Sequence, residues 1–346
     1  ANVKKTKLTN SVVVDNSEKI HPLVDKLVVS TMNEDIYSVK LSPNSHWVLK
    51  EHVILGNSTV PGTAYIEVAR AIGERYYKTD ALELENVMFL TPLVVPNDSF
   101  VDAQIVAHKD VNKISFVISS LVKDEKNESE TWVIYCKGDI KVNTNATSEK
   151  LEYNQLFEQE GIVNSPTNIP AINAQGLMGL GDRWNNVLRC GRLDNIAVCE
   201  VKLPDEYKGD LEQYKYHISV LDMAVNRPVQ EFTSGIYLPY YYKKLTMYAP
   251  LPGHVFSKAI LLNKNSNNDE TKTYDIIISD IDGNVIVTIE GYVVKKVNVL
   301  NDYVANAFFG IEWVEVESGI ESKNAFKNVL MFRNKTKFSS QLEEKV

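Results

Sequence analysis

The chain has 346 residues, 44% of them hydrophobic and 24% charged, which suits one large folded domain or two of medium size rather than a disordered chain. Its formal net charge of −8, with no basic stripe carrying interleaved aromatics, argues against a nucleic-acid backbone or an anionic membrane as partner. No apolar run reaches membrane-spanning length, no apolar signal core follows Lys4, Lys5 and Lys7, and Cys136, Cys190 and Cys199 form no CxxC pair or disulfide framework; together these predict a cytoplasmic protein whose cysteines are all thiols.

Residues 1–20 are polar and aperiodic and read as a leader or linker. From "HPLVDKLVVS" onward strand patterning dominates, and "IYSVKLS" alternates apolar and polar residues as a half-buried strand does. After the break at Pro61-Gly62, "TAYIEVARAIGERYY" repeats apolar residues at helical spacing, with Thr63 as its N-cap. Strands follow as "LELENVMFLTPLVV", "FVDAQIVAHK", "KISFVISSLV" and "ETWVIYCKGDIKV", and the polar "NTNATSEK" then reads as a connector. The second half repeats this plan. "NIAVCEVKLP" leads to a short apolar helix at "SVLDMAVN", and strands return as "IYLPYYYKKLTMYA", "VFSKAILLN", "TYDIIISD" and "NVIVTIEGYVVKKV". Asp282-Gly283 marks a hairpin between the last two. Each half is thus a mostly antiparallel sheet with one helix inserted early, a duplication of element order without a sequence-level repeat.

Six histidines are present (His21, His46, His52, His108, His217, His254), and none has HExxH or other ligand spacing, so no metal site is expected. Phosphate-binding loops and a GxSxG elbow are absent from the sequence. Chemistry concentrates instead in "HVILGNSTVPGTAYIEVA", residues 52–69. It sets a histidine beside a helix N-terminus, where unpaired N–H groups accept a partly negative oxygen. Gly56 lets backbone approach a ligand and Pro61 fixes the turn. On spacing alone, a surface histidine in a strand-to-helix turn is the favoured reading.

His52, Gly56 and Pro61 reproduce the HxxxGxxxxP motif of polyketide synthase dehydratase domains, and the surrounding "HWVLKEHVILGNSTVPGTAYIEVA" resembles that family beyond the motif. Further markers stand in order: "HPLVD" at 21–25, the glycine-bearing "LGDRWNNV" at 180–187, "HISVLDMAVN" at 217–226, and "YLPYYYKKLTMYAPLP" at 237–252, which looks like the family's LP loop. The resemblance implies an α+β double hotdog, two fused antiparallel sheets each wrapping a central helix. It divides the chain into a first hotdog at 21–150, a second at 151–300 and a post-dehydratase segment at 301–346. In that segment "NVLMFRNKTKF" resembles the opening strand of a ketoreductase structural half.

The implied reaction is loss of water from a 3-hydroxyacyl thioester carried on the phosphopantetheine arm of an acyl carrier protein, with no cofactor of the domain's own. His52 is the implied base, and Asp222, facing it from the second hotdog, the implied acid. Amides at Gly56 or at the helix after Pro61 would hold the thioester oxygen, with Tyr65, Gly181, Trp184, Leu238 and Pro239 lining the substrate tunnel. From composition alone Asp222 is a helix cap or a solvated carboxylate. The sequence departs from the family twice. Asn226 stands where Gln or His is usual, four residues after the aspartate, and "LGDRW" replaces a tyrosine-containing loop, leaving Arg183 or Trp184 to shape the tunnel. Dehydration is the favoured activity. Double-bond isomerisation, pyran-forming cyclisation, a hotdog thioesterase and a non-catalytic docking module are the alternatives. A neighbouring ketoreductase and a homodimer complete the implied partners.

Overall fold

A computed structural model describes residues 12–13, 19–123, 129–145, 150–153, 157–158, 162–165, 178–262 and 270–297. The readings placed on residues 1–11, 14–18 and 298–346, the ketoreductase-like segment included, lie outside the described residues.

The first half runs β1 (Val12–Val13), β2 (Lys26–Ser30), β3 (Glu34–Leu41), the single turn α1 (Trp47–Lys50), β4 (His52–Ile54), β5 (Asn57–Thr59) and α2 (Gly62–Tyr77). It continues with β6 (Leu82–Phe89), β7 (Val94–Val95), β8 (Val101–Lys109), β9 (Ile114–Lys123) and β10 (Glu130–Val142). The second half follows with β11 (Val163–Ser165), β12 (Met178–Leu180), β13 (Val187–Leu193), β14 (Ile196–Lys202), α3 (Ile218–Gln230), β15 (Ile236–Met247), β16 (His254–Leu261), β17 (Thr271–Ser279) and β18 (Val285–Val297). Short 3-10 helices at Asp182–Trp184 and Asp205–Glu212 flank β13 and β14.

Alternation does what the sequence predicts in β3, where Tyr37, Val39 and Leu41 point into the core. Both central helices are apolar on nearly every side: Ala64, Ile66, Val68, Ala69 and Ile72 of α2 are buried, as are Ile218, Val220, Leu221, Ala224 and Val225 of α3. Such helices need a sheet wrapped around them, and a 14-stranded antiparallel sheet supplies it in the order β1-β2-β3-β8-β9-β10-β6-β15-β18-β17-β16-β14-β13-β11. This is the double hotdog, with the two halves joined edge to edge. Leu82 and Leu84 of β6 stand opposite Met247 and Leu245 of β15, all four fully buried.

Five local readings change. "LELENVMFLTPLVV" is two strands, because Pro92 cannot continue a ladder; β7 joins a separate small sheet of order β12-β4-β5-β7. The leader contributes β1, which pairs with β2. Thr63 is not the N-cap: Pro61 takes that place with φ −68° and ψ 149°, and the buried Thr63 hydroxyl donates to Ile218 O across the halves. β13 runs from the end of the loop read at 180–187 through residues left unassigned, since its Arg189, Gly191 and Arg192 break the alternation. That hidden strand also explains a correction to the cysteines. Cys190 and Cys199 face each other across β13 and β14, Cα atoms 4.2 Å apart, and form a disulfide, leaving Cys136 as a buried thiol. The cysteines therefore give no argument for a reducing compartment. No helix among the described residues is long and apolar enough to cross a membrane.

Candidate active site

His52 opens β4, and its hairpin with β5 decides what its ring can do. Val53 pairs with Ser58 and Ile54 with Asn57, leaving Leu55 and Gly56 as a two-residue turn with φ 51° and 79°. Positive φ at both central residues is the hairpin turn that matches strand twist, and glycine occupies it without strain. The turn folds Thr59 back over His52, whose Nδ1–H donates to Thr59 O at 2.7 Å. A carbonyl only accepts, so in the neutral ring the lone pair lies on Nε2. Gly56 itself is exposed at the hairpin tip, and what it supplies there is the turn. Two residues after Thr59, Pro61 starts α2. His52 is 6% exposed, and that burial pushes its pKa below the ordinary imidazole value, against the pull of Asp222 and of the Thr59 carbonyl.

Asp222 lies in the middle of α3 between Leu221 and Met223, both buried, so it is neither a helix cap nor a solvated carboxylate. Burial drives its pKa up; the His52 charge, Trp184 and Asn226 work against that rise. The Trp184 indole N–H donates to Asp222 Oδ2 at 2.8 Å, and the Asn226 amide donates to Oδ1, also at 2.8 Å. Asn226 thus reaches the carboxyl despite its short side chain, and Trp184 supplies a donor where the family's tyrosine loop is replaced. The Trp184 ring also lies 5.7 Å from the His52 ring. A neutral base and a protonated acid are what these two environments favour.

Backbone from the second half holds the pair together. β12 pairs with β4, placing Leu180 opposite His52, and Gly181 N–H donates to Glu51 O at 2.9 Å. A Cβ on Gly181 would sit 2.3 Å from Glu51 Cγ, so any larger residue at this crossing must displace the Glu51 side chain. Arg183 then ion-pairs with Glu51 and with Asp210 (2.7 Å), its guanidinium lying 4.5 Å from the Trp47 ring and 4.1 Å from that of Tyr207. The residue before His52 and the residue before Trp184 are therefore clamped to each other.

Tyr65 is buried in the first turn of α2 and starts an aromatic series: Phe89 at 6.3 Å, Tyr242 a further 5.4 Å on, and Tyr292 another 4.6 Å. Tyr292 donates to Asn226 Oδ1 at 2.6 Å, which closes the series on the Asp222 site. Leu238 and Pro239 stand half-buried at the start of β15, Pro239 opposite Val294. Among the described residues neither makes a hydrogen bond to His52 or Asp222, and Tyr242, three positions beyond Pro239, is the β15 residue near the carboxyl. Glu67, the acid that the thioesterase alternative would have to use, is fully buried and holds Arg70 (2.6 Å), His21 (3.1 Å) and Tyr216 N–H (3.2 Å). No group of three His, Cys, Asp or Glu side chains among the described residues is placed to hold a metal. Sequence reasoning missed Thr59, Glu51, Asp210 and Tyr292. Only Glu51 carried a signal, its position next to His52.

Comparison with known proteins agrees with this fold. Residues 21–121 match the family model described as polyketide synthase dehydratase domain, and residues 171–302 match that described as polyketide synthase dehydratase N-terminal domain. Among curated proteins, polyketide synthase PksM of Bacillus subtilis is 22% identical over 79% of the chain, and polyketide synthase GfsE of Streptomyces halstedii 24% over 86%. The chain spans 7% and 8% of those two proteins. Among solved structures, the dehydratase domain from the CurF module of curacin polyketide synthase superposes with a TM-score of 0.70 at 22% identity, covering 80% of this chain and 98% of that one. A trans-AT polyketide synthase dehydratase domain from Brevibacillus brevis gives 0.71 at 20%, with 80% and 99% covered. The bifunctional dehydratase-cyclase domain of ambruticin biosynthesis gives 0.67 at 17%, with 83% and 99% covered.

Proposed function

Because the chain belongs to the polyketide synthase dehydratase family, we propose that it removes water from a 3-hydroxyacyl thioester with His52 as base and Asp222 as acid. The single observation that carries the reading is the opposed environment of the two side chains. The Thr59 carbonyl leaves the His52 lone pair on Nε2, while burial of Asp222 favours the form that has a proton to give.

In this reading Nε2 takes the proton beside the thioester carbonyl, and Asp222 protonates the departing hydroxyl. Each role contributes roughly 10²–10⁴-fold in rate. The first amides of α2, beyond Pro61, hold the thioester oxygen as charge develops on it. The substrate arrives on the phosphopantetheine arm of an acyl carrier protein, and the domain works beside other domains of its synthase as a homodimer. Support for these partners comes from the multidomain synthases it resembles and from fold analogy. The chemistry moves protons and no redox electrons, so the domain needs no cofactor of its own.

The test is mass spectrometry of a 3-hydroxyacyl carrier protein incubated with the protein. Loss of the mass of one water, abolished by His52→Ala and by Asp222→Asn, supports the reading. Unchanged substrate across several chain lengths and both hydroxyl configurations refutes it.

A further inference from the structure

An asparagine amide is nearly symmetric in shape, so which end faces a neighbour is set by its hydrogen-bond partners. Asn226 has a partner at each end: Nδ2 donates to Asp222 Oδ1 at 2.8 Å, and Oδ1 accepts the Tyr292 hydroxyl at 2.6 Å. Tyr292 comes from β18, far from α3 in the chain. It is fully buried, with its ring edge-on to Tyr242 at 4.6 Å, so packing fixes where its hydroxyl points. The same burial holds the phenol in its protonated, donating form.

We propose that Tyr292 is a positioning residue that keeps the N–H end of Asn226 turned toward Asp222, so that both carboxyl oxygens face hydrogen-bond donors. The proposal deepens the acid role given to Asp222 above and rests on it. The other donor, the Trp184 indole, has no acceptor to offer. Donors favour the carboxylate over the acid, so the two act against burial and keep Asp222 a willing proton donor. The groups that face Asp222 are His52 on β4, Trp184 on its 3-10 helix, Asn226 on α3 itself, Tyr242 on β15 and Tyr292 on β18. Burial pushes both phenols far up, which leaves His52 as the one neighbour that titrates with Asp222. Without the Tyr292 hydroxyl, Asn226 is free to turn over, accept the Asp222 O–H through Oδ1 and hold the proton in place.

The test compares thermal melting with and without Asp222→Asn across pH, which follows the ionisation of Asp222 without any substrate. Asp222 costs stability relative to asparagine as pH rises above the ordinary carboxylate range, and the cost levels off above its folded pKa. In the Tyr292→Phe background the midpoint of that rise is expected to move up by roughly one pH unit. In an Asn226→Leu background Tyr292→Phe is expected to move nothing further, because the tyrosine acts through Asn226. An unmoved midpoint, or an equal shift in the Asn226→Leu background, overturns the proposal. Should Tyr292→Phe fail to fold, 3-fluorotyrosine at position 292, a stronger donor of the same shape, is expected to lower the midpoint; no change overturns the proposal. A wild-type protein that melts as described but leaves 3-hydroxyacyl carrier proteins of several chain lengths and both hydroxyl configurations untouched refutes the dehydration reading alone.

Discussion

At the residue scale, the working form needs His52 neutral and Asp222 protonated at once, which free side chains never achieve together because their ordinary values lie at 6.5 and 3.8 in the wrong order. Burial lowers the first and raises the second, moving the pair toward the order the reaction requires. The pH profile of kcat/KM for thioester dehydration is therefore expected to fall on the acid side below 6.5, as His52 takes a proton, and on the alkaline side above 3.8, as Asp222 loses one. An acid limb above 6.5 would contradict the burial argument. Trp184→Phe keeps a ring beside His52 and removes one donor to Asp222, so kcat is expected to drop about tenfold, the worth of one such bond, while the alkaline limb moves up. His52 was legible because its motif is local, three residues within one hairpin and one helix start. Trp184 was legible only as tunnel lining and Tyr292 not at all, because the hydrogen bonds they take part in reach partners 38 and 66 residues away.

At the element scale, the strands were legible wherever one face is buried, as in β3 and β8, and hidden where polar residues interrupt the period, as in β13. That failure cost the disulfide, since the nine-residue separation of Cys190 and Cys199 has meaning only once the hairpin between them is known. Iodoacetamide in denaturant without reductant is expected to label Cys136 alone, and labelling of three cysteines would deny the pairing. The crossing of β12 over β4 was equally invisible. Gly181 signals only a loop, yet any Cβ there meets the Glu51 side chain at 2.3–2.7 Å. Gly181→Ala is expected to push Glu51 off Arg183 and to part Leu180 from His52. Activity should fall at least tenfold with a destabilisation of about 2 kcal/mol, the scale of overpacking. Measured by the kcat of the variant against its melting temperature, a loss of stability without loss of rate would show the crossing to be structural only.

At the scale of the whole molecule, the repeated element order announced two hotdogs, but not that their sheets run on as one. No pattern in β6 or β15 distinguishes a strand that pairs across the halves from one that ends at an edge. The join is what makes a two-part site possible: His52 comes from one half, Asp222 from the other, and β6–β15 and β12–β4 bind the halves on either side. Freed from its partner, β6 would present an open ladder whose Leu82 and Leu84 lie fully buried in the intact sheet, an edge that recruits whatever strand it meets. Residues 1–150 expressed alone are therefore expected to aggregate or to self-pair through β6. Co-expressed with residues 151–346, they should form a soluble 1:1 complex. Since base and acid sit on different pieces, dehydration should appear only in that complex. Size-exclusion chromatography with the thioester assay decides it: a soluble, monomeric 1–150 fragment would mean that the first hotdog closes its own edge, and that the fused sheet is not what holds the site together.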